Sequence, residues 1–410
     1  MKLKLSRYSV RNSLIIFSLS FLFIIRVATA QVELNGSVDF MVTKGGDDSK
    51  FVTNEIASDY RNPHLSIRQL NFFVFSPITE QFSLNVRVHF DTWGTGKLNQ
   101  PRITLAMLNW DSEDALTRIS LGRFISPFGL YPQRSLEADN LFATAPLGYG
   151  YFINISEERG YWPAAGNTGI YGPDDVGLTT VYFGGYNTGL MYSRTLIPEL
   201  LSVDLAVTNA ALTSQADYTN LQNLGGILRI GLQPVIYWQQ GISLSYGSFM
   251  QRAGINSLYK DLEQYTQLVA GTDLILAHSY FELSGEFFYS MWQVPMFVGE
   301  DFIREGNKLN TFALDNYAAY FDLKYEPSFF TGSYIAARYD ILRFLKSGDL
   351  DSIEGKNYNP WDNDVDRYAV SFGYKFARSI LLKLVYTDQK TANITDPKDE
   401  AIRGILTVSF

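Results

Sequence analysis

The chain has 410 residues, no cysteine, 15% aromatic residues and a formal charge of -8. The missing cysteine excludes disulfide frameworks, thiolate metal sites and cysteine nucleophiles together. The acidic balance sets aside a general nucleic-acid partner.

The first thirty residues have the three parts of a secretory leader. Lys2, Lys4, Arg7 and Arg11 make a basic start, Leu14 to Ile25 an apolar run, and Ala28-Thr29-Ala30 a small-x-small cleavage pattern before Gln31. Arg26 ends the run after about a dozen residues, too short for a spanning helix. Cleavage removes five basic residues and no acidic one, so the charge moves from -8 to about -13. Residues 31–410 are then one domain. No later segment is apolar for long enough to make a transmembrane helix.

Period-two segments of about nine to twelve residues recur through that domain, the length of a tilted bilayer-crossing strand. Phe82, Leu84, Val86, Val88 and Phe90 alternate with Ser83, Asn85, Arg87, His89 and Asp91. Leu201, Val203, Leu205 and Val207 oppose Ser202, Asp204 and Thr208, and Phe281, Leu283, Phe287 and Tyr289 oppose Glu282, Ser284, Glu286 and Ser290. Near the end, Tyr368, Val370, Phe372, Tyr374 and Phe376 oppose Arg367, Ala369, Ser371, Gly373 and Lys375. In the last segment Ile402, Gly404, Leu406, Val408 and Phe410 share one face, with Arg403, Thr407 and Ser409 on the other.

The connections alternate as well. Short links at 76–81, 112–115, 197–199, 278–279 and 377–379 separate close strand pairs. Long polar links at 44–63, 126–175, 291–311, 342–366 and 389–400 follow them. Strands are predicted near 32–43, 64–75, 82–93, 101–111, 116–125, within 176–196, and near 200–209, 224–233, 239–249, 266–277, 280–290, 313–325, 329–341, 367–376, 380–388 and 401–410. The fold class is therefore all-β, a single closed antiparallel transmembrane barrel of sixteen strands. Eighteen is the alternative if the stretch around Gly184-Gly185 holds two strands and a further one precedes it. Aromatic residues at strand ends, among them Trp93, Trp110, Tyr246, Trp292, Tyr325, Phe329, Phe330 and Tyr386, suit an interfacial girdle.

With its leader, strand rhythm, terminal Phe410 and the segment Leu121-Gly122-Arg123-Phe124-Ile125-Ser126-Pro127-Phe128-Gly129, the sequence resembles the outer-membrane porins, in particular the phosphate-selective porin family and its relatives. The Gly-Arg strand running into Pro-Phe-Gly looks like the passage into those porins' constriction loop. The resemblance implies that part of 126–175 folds into the lumen and narrows it, bringing Arg134, Glu137, Asp139, Glu157, Glu158 and Arg159. It also implies a homotrimer. The sequence departs from a phosphate-selective channel in lacking a dense ladder of lysine and arginine.

On the wall, alternation sends Arg87, His89, Asp91, Asp204, Arg229, Glu282, Glu286, Asp322, Lys324, Lys375, Lys383 and Arg403 to the lumen. A lysine or arginine facing lipid at mid-membrane would cost about 2–4 kcal/mol. The two signs nearly balance, and the directions of Arg68, Arg118, Arg123 and Arg338 stay open. Asp362, Asp364 and Asp366 are spaced as in a calcium loop, but Arg367 stands where glycine is wanted, so a solvated acidic loop is expected. The three histidines, His64, His89 and His278, have no metal-ligand spacing, and no G-x-S-x-G elbow accompanies them. No enzyme, cofactor or metal is implied. The partners expected are outer-membrane lipid and small hydrophilic solutes or ions, in a passive diffusion channel. The alternative is a non-conducting barrel, closed by its long loop, that docks in an envelope complex.

Overall fold

Alternation in the sequence becomes a closed sheet because every strand has one face that must leave water and one that must not. The computed structural model describes residues 32–46, 62–92, 99–163, 177–214, 224–250, 264–298, 301–302, 304–305, 308–309, 311–351, 357–392 and 399–410. The expected leader at 1–30 and Trp93 lie outside them.

Sixteen antiparallel strands form the barrel. They are β1 (Glu33–Gly45), β2 (His64–Pro77), β3 (Phe82–Asp91), β4 (Arg102–Asp111), β5 (Thr117–Ile125), β6 (Tyr186–Ile197), β7 (Leu201–Thr208) and β8 (Gly225–Val235). There follow β9 (Trp238–Ser248), β10 (Thr266–His278), β11 (Phe281–Pro295), β12 (Thr311–Tyr325), β13 (Ser333–Phe344), β14 (Val365–Ala377), β15 (Ile380–Thr391) and β16 (Asp399–Ser409). Each pairs with its chain neighbours, and β1 pairs with β16. The stretch left ambiguous in the sequence resolves into the single strand β6, with 177–185 belonging to the connection before it. Short turns gather at one end of the cylinder and long connections at the other.

The last residue extends the closing seam between β1 and β16. Gly36 donates its N–H to the Phe410 carbonyl at 2.8 Å, and Phe410 donates back to the Gly36 carbonyl at 2.9 Å. A Cβ on Gly36 would lie 2.5 Å from the Phe410 ring, so glycine leaves the space that ring occupies. The ring meets Phe72 edge-on with centroids 6.3 Å apart. Deleting Phe410 removes two hydrogen bonds and an aromatic pair, and should cost about 2–4 kcal/mol. The check is the temperature at which the folded band disappears on unboiled gels; an unchanged temperature contradicts the closing role.

Outside, the belt is apolar and exposed, as at Leu65, Ile103, Leu121, Val207, Ile335 and Ile402. The inside is where the architecture departs from simple alternation. Along β11, β12 and β13 the inward face is itself apolar, carrying Phe288, Trp292, Val294, Phe312, Leu314, Leu342 and Phe344. These pack against Phe128, Leu147, Tyr149, Tyr151, Ile153 and Ile155 of the connection between β5 and β6. That connection enters the lumen and builds a dry core there, with a short helical turn at Leu147–Gly150. Trp292, expected in the girdle, instead points inward and is fully buried. It stacks edge-on against Phe249 at 5.1 Å and donates to Asn316 Oδ1 at 2.9 Å. Tyr246 and Tyr386 are exposed on the outer surface, and Phe329 is 85% exposed at the tip of a short turn.

Candidate functional site

The plug enters through the Ser126-Pro127-Phe128-Gly129 turn. Phe128 is fully buried against Phe288, with ring centroids 6.1 Å apart. Gly129 has φ +67, and a Cβ there would sit 1.9 Å from Glu286 Oε1, so both backbone and space require glycine. Glu286, buried on β11, then accepts from the Leu130 and Tyr131 N–H groups at 3.2 and 3.4 Å, Tyr149 OH at 2.5 Å and Tyr320 OH at 3.3 Å. One wall carboxylate thus takes four donors and fixes where the short 3-10 turn Tyr131–Arg134 begins.

Further along, the plug is held by charge. Lys383 Nζ meets Glu137 Oε2 at 2.6 Å and the carbonyls of Glu137 and Asn140 at 2.7 and 2.9 Å. Arg68 reaches Glu137 Oε1 at 2.8 Å, and Arg134 pairs with Glu282 at 2.5 Å. Arg338 forms a two-pronged pair with Asp322 at 2.6 and 2.7 Å and donates to the Thr144 carbonyl at 3.1 Å. Arg367 donates to the Ala145 carbonyl at 2.9 Å.

At the long-loop end, Asp362 Oδ2 accepts the Asn154 N–H at 2.7 Å, and the carbonyl of Trp361 accepts from Tyr161 OH at 3.0 Å. Asp362 is buried. The acidic loop expected to be solvated is therefore, at this residue, an anchor for the plug. Burial pushes the Asp362 carboxyl up to about 7, against the lowering effect of the Asn363 and Asn154 N–H groups. A carboxyl raised on folding contributes its full stability below the unfolded value near 4 and loses it as pH rises through about 7. Exchange of the Asn154 amide should accelerate between pH 4 and 8, after correction for intrinsic exchange, and Asp362→Asn should flatten that dependence. An equally steep dependence in the variant rules out Asp362 as its source.

Among the described residues the plug borders two open spaces. A vestibule of about 850 Å³ lies at the short-turn end, lined by Asp204, Arg229, Glu282, Lys324 and Lys375 from the wall and by Arg134 and Asp139 from the plug. A slot of about 180 Å³ runs along β2 to β5 toward Asp91 and Thr92 at the long-loop end. Residues 130–141 lie between the two, with Tyr131, Ser135 and Glu137 facing the slot and Arg134, Ala138 and Asp139 the vestibule.

Arg87, His89 and Asp91 line the slot. Glu286, Asp322, Lys383 and Arg403 are buried and line neither space. Glu157, Glu158 and Arg159 form the turn of a small hairpin, Ile155–Ser156 with Gly160–Tyr161, where Arg159 stacks on Trp162 at 4.0 Å. The slot also gathers Arg367, which alternation places on the wet face of its strand, and Arg68, Arg102 and Arg123, whose directions alternation does not give. Its charged groups are then five arginines against Asp91 and Glu137, with His89 beside them. Asp91 is drawn toward Arg102, His89 at 3.2 Å and Asn99.

Solved outer-membrane proteins share this architecture. The outer membrane channel DcaP of Acinetobacter baumannii superposes with a TM-score of 0.58 at 13% identity, over 93% of this chain and 97% of that one. An anion-selective porin from Comamonas acidovorans gives 0.57 at 10% identity, over 93% and 100%. A loop-deletion mutant of OmpT, an outer membrane protein of Vibrio cholerae, gives 0.54 at 11% identity, over 93% and 100%. The fold is that of the porins. No protein-family model matches the chain, and no curated protein matches it.

Proposed function

We propose that residues 31–410, after removal of a leader at 1–30, form an outer-membrane porin, a passive diffusion channel for small hydrophilic solutes, with a preference for anions. The observation that carries this reading is the pair of spaces beside the plug, of which the slot holds five arginines and two carboxylates. An excess of one sign in a narrow aqueous passage raises the local concentration of the opposite sign. The exposed apolar belt and the absence of a sheet edge are what lipid demands of a spanning sheet. Solutes pass when the side chains of 130–141 yield between the two spaces. Assembly as a homotrimer belongs to the same reading, and a trimer form of the Vibrio OmpT protein, at a TM-score of 0.51, supports it.

The purified protein in planar bilayers should give stepwise conductance, with a reversal potential displaced toward the anion in a salt gradient. A second reading, a closed barrel that docks in an envelope complex, draws on the dry core of the plug and its partition of the lumen. Vesicles that hold the inserted protein and leak no small sugar or ion would favour it over the channel.

A further inference from the structure

We propose that the slot holds a saturable site for small carboxylates with an apolar body, and that Arg87 is the group that takes the carboxylate. The inference rests on the slot being part of the solute path and names the class of solute it retains.

Arg87 is only 7% exposed, yet among the described residues no carboxylate lies within ion-pair distance of it. Other arginines of the wall differ. Arg229 has Asp273, Arg338 has Asp322 and Arg102 has Asp91. Arg87 instead donates Nε to Thr104 Oγ1 at 2.8 Å and lies over the Tyr186 ring at 4.8 Å. A desolvated guanidinium without an anion is unfavourable, and its planar fork matches the two oxygens of a carboxylate. Thr104 and Tyr186 hold that fork in place through Nε and one face, so its Nη groups are the ones available to an incoming anion.

The remainder of the slot decides which anion. Met41, Tyr131, Phe183 and Tyr186 bring apolar surface to the space that Arg87 lines. An oxyanion such as phosphate carries polar oxygens on every side and finds donors on only part of this lining. A carboxylate with a ring or short chain presents its charge to Arg87 and its body to the aromatic wall. The volume of about 180 Å³ is close to the roughly 150 Å³ of an apolar cavity that takes benzene, which suits a solute of one ring. Asp91, the carboxylate nearest the long-loop end of the slot, is already engaged by Arg102, His89 and Asn99.

Benzoate and inorganic phosphate, added at matched charge to the inserted protein, provide the test. Benzoate should block the ion current with saturation, phosphate should need at least tenfold more, and Arg87→Gln should raise the half-blocking benzoate concentration at least tenfold. A conducting protein that benzoate leaves unblocked, or block that Arg87→Gln does not shift, overturns the site while the channel reading stands. Stronger block by phosphate overturns the ligand class. If the protein does not conduct, the channel reading fails, and calorimetric titration of the folded protein with benzoate still decides the site by the presence or absence of saturable heat. Should Arg87→Gln not fold, Tyr186→Leu replaces it, with at least a threefold rise expected and an unchanged value counting against the proposal.

Discussion

Glu286→Ala is expected to free the entry of the plug and raise single-channel conductance several-fold. The wild-type carboxylate accepts from two backbone N–H groups and two tyrosine hydroxyls in a site that water does not reach. Each buried donor left without an acceptor costs about 1–3 kcal/mol, so the docked conformation loses more than most single contacts supply. Relief comes from residues 129–134 leaving their seat against β11, which loosens the segment 130–141 that separates slot from vestibule. Gly129→Ala should give the same phenotype from the other partner, because its Cβ would collide with Glu286 Oε1 and its φ of +67 disfavours any side chain. Glu286→Gln keeps the size but places an amide against the tyrosine hydroxyls, and an intermediate conductance is expected. Equal conductance in wild type and Glu286→Ala, with both folded, would show that this anchor does not set the passage.

Much of the barrel was legible because a strand with one wet and one oily face writes its period into the sequence. Phe82 to Asp91 and Ile402 to Phe410 became β3 and β16 with the predicted faces. The lumen was less legible, for three physical reasons. Bulges break parity: Asp39 pairs with Gln69 and Phe40 with Ile67, so Arg68 is the extra residue, and a similar shift at Arg87/Val88 obscures the approach to Arg102. The direction of Arg123 is hidden by its neighbour Gly122, whose φ of +121 no alternation rule anticipates. Along β11 to β13 both faces are apolar, as at Phe287 and Phe288, since lipid covers one and the plug the other. Such strands lose the alternation that reports a wet interior. The adjacent phenylalanines were the available signal of a filled lumen. Asp362 had no local signal, because its partner Asn154 lies 208 residues away.

Asp322→Ala is expected to destabilise the barrel by about 3–5 kcal/mol, the range for removing one partner of a buried ion pair. Arg338 is almost wholly enclosed, donates twice to Asp322, and sits between the rings of Phe142 at 4.4 Å and Tyr320 at 5.1 Å. Truncating Asp322 leaves the guanidinium with the Thr144 carbonyl and two aromatic faces, none of which carries a full negative charge. Asp340 stands two residues along β13 on the same inward face, so part of the loss can be recovered if Arg338 swings toward it. The double variant Asp322→Ala with Asp340→Ala should therefore cost more than the sum of its singles. Asp322→Leu with Arg338→Met tests the opposite limit. Removing both charges leaves neither member of the pair buried without its partner, and this pair should fall well short of Asp322→Ala alone in its cost. Reversible unfolding in detergent, read as a double-mutant cycle, measures both differences. If Asp322→Ala proves as mild as the paired replacement, water reaches Arg338, and the part of the plug around Phe142 and Thr144 is wet instead of packed.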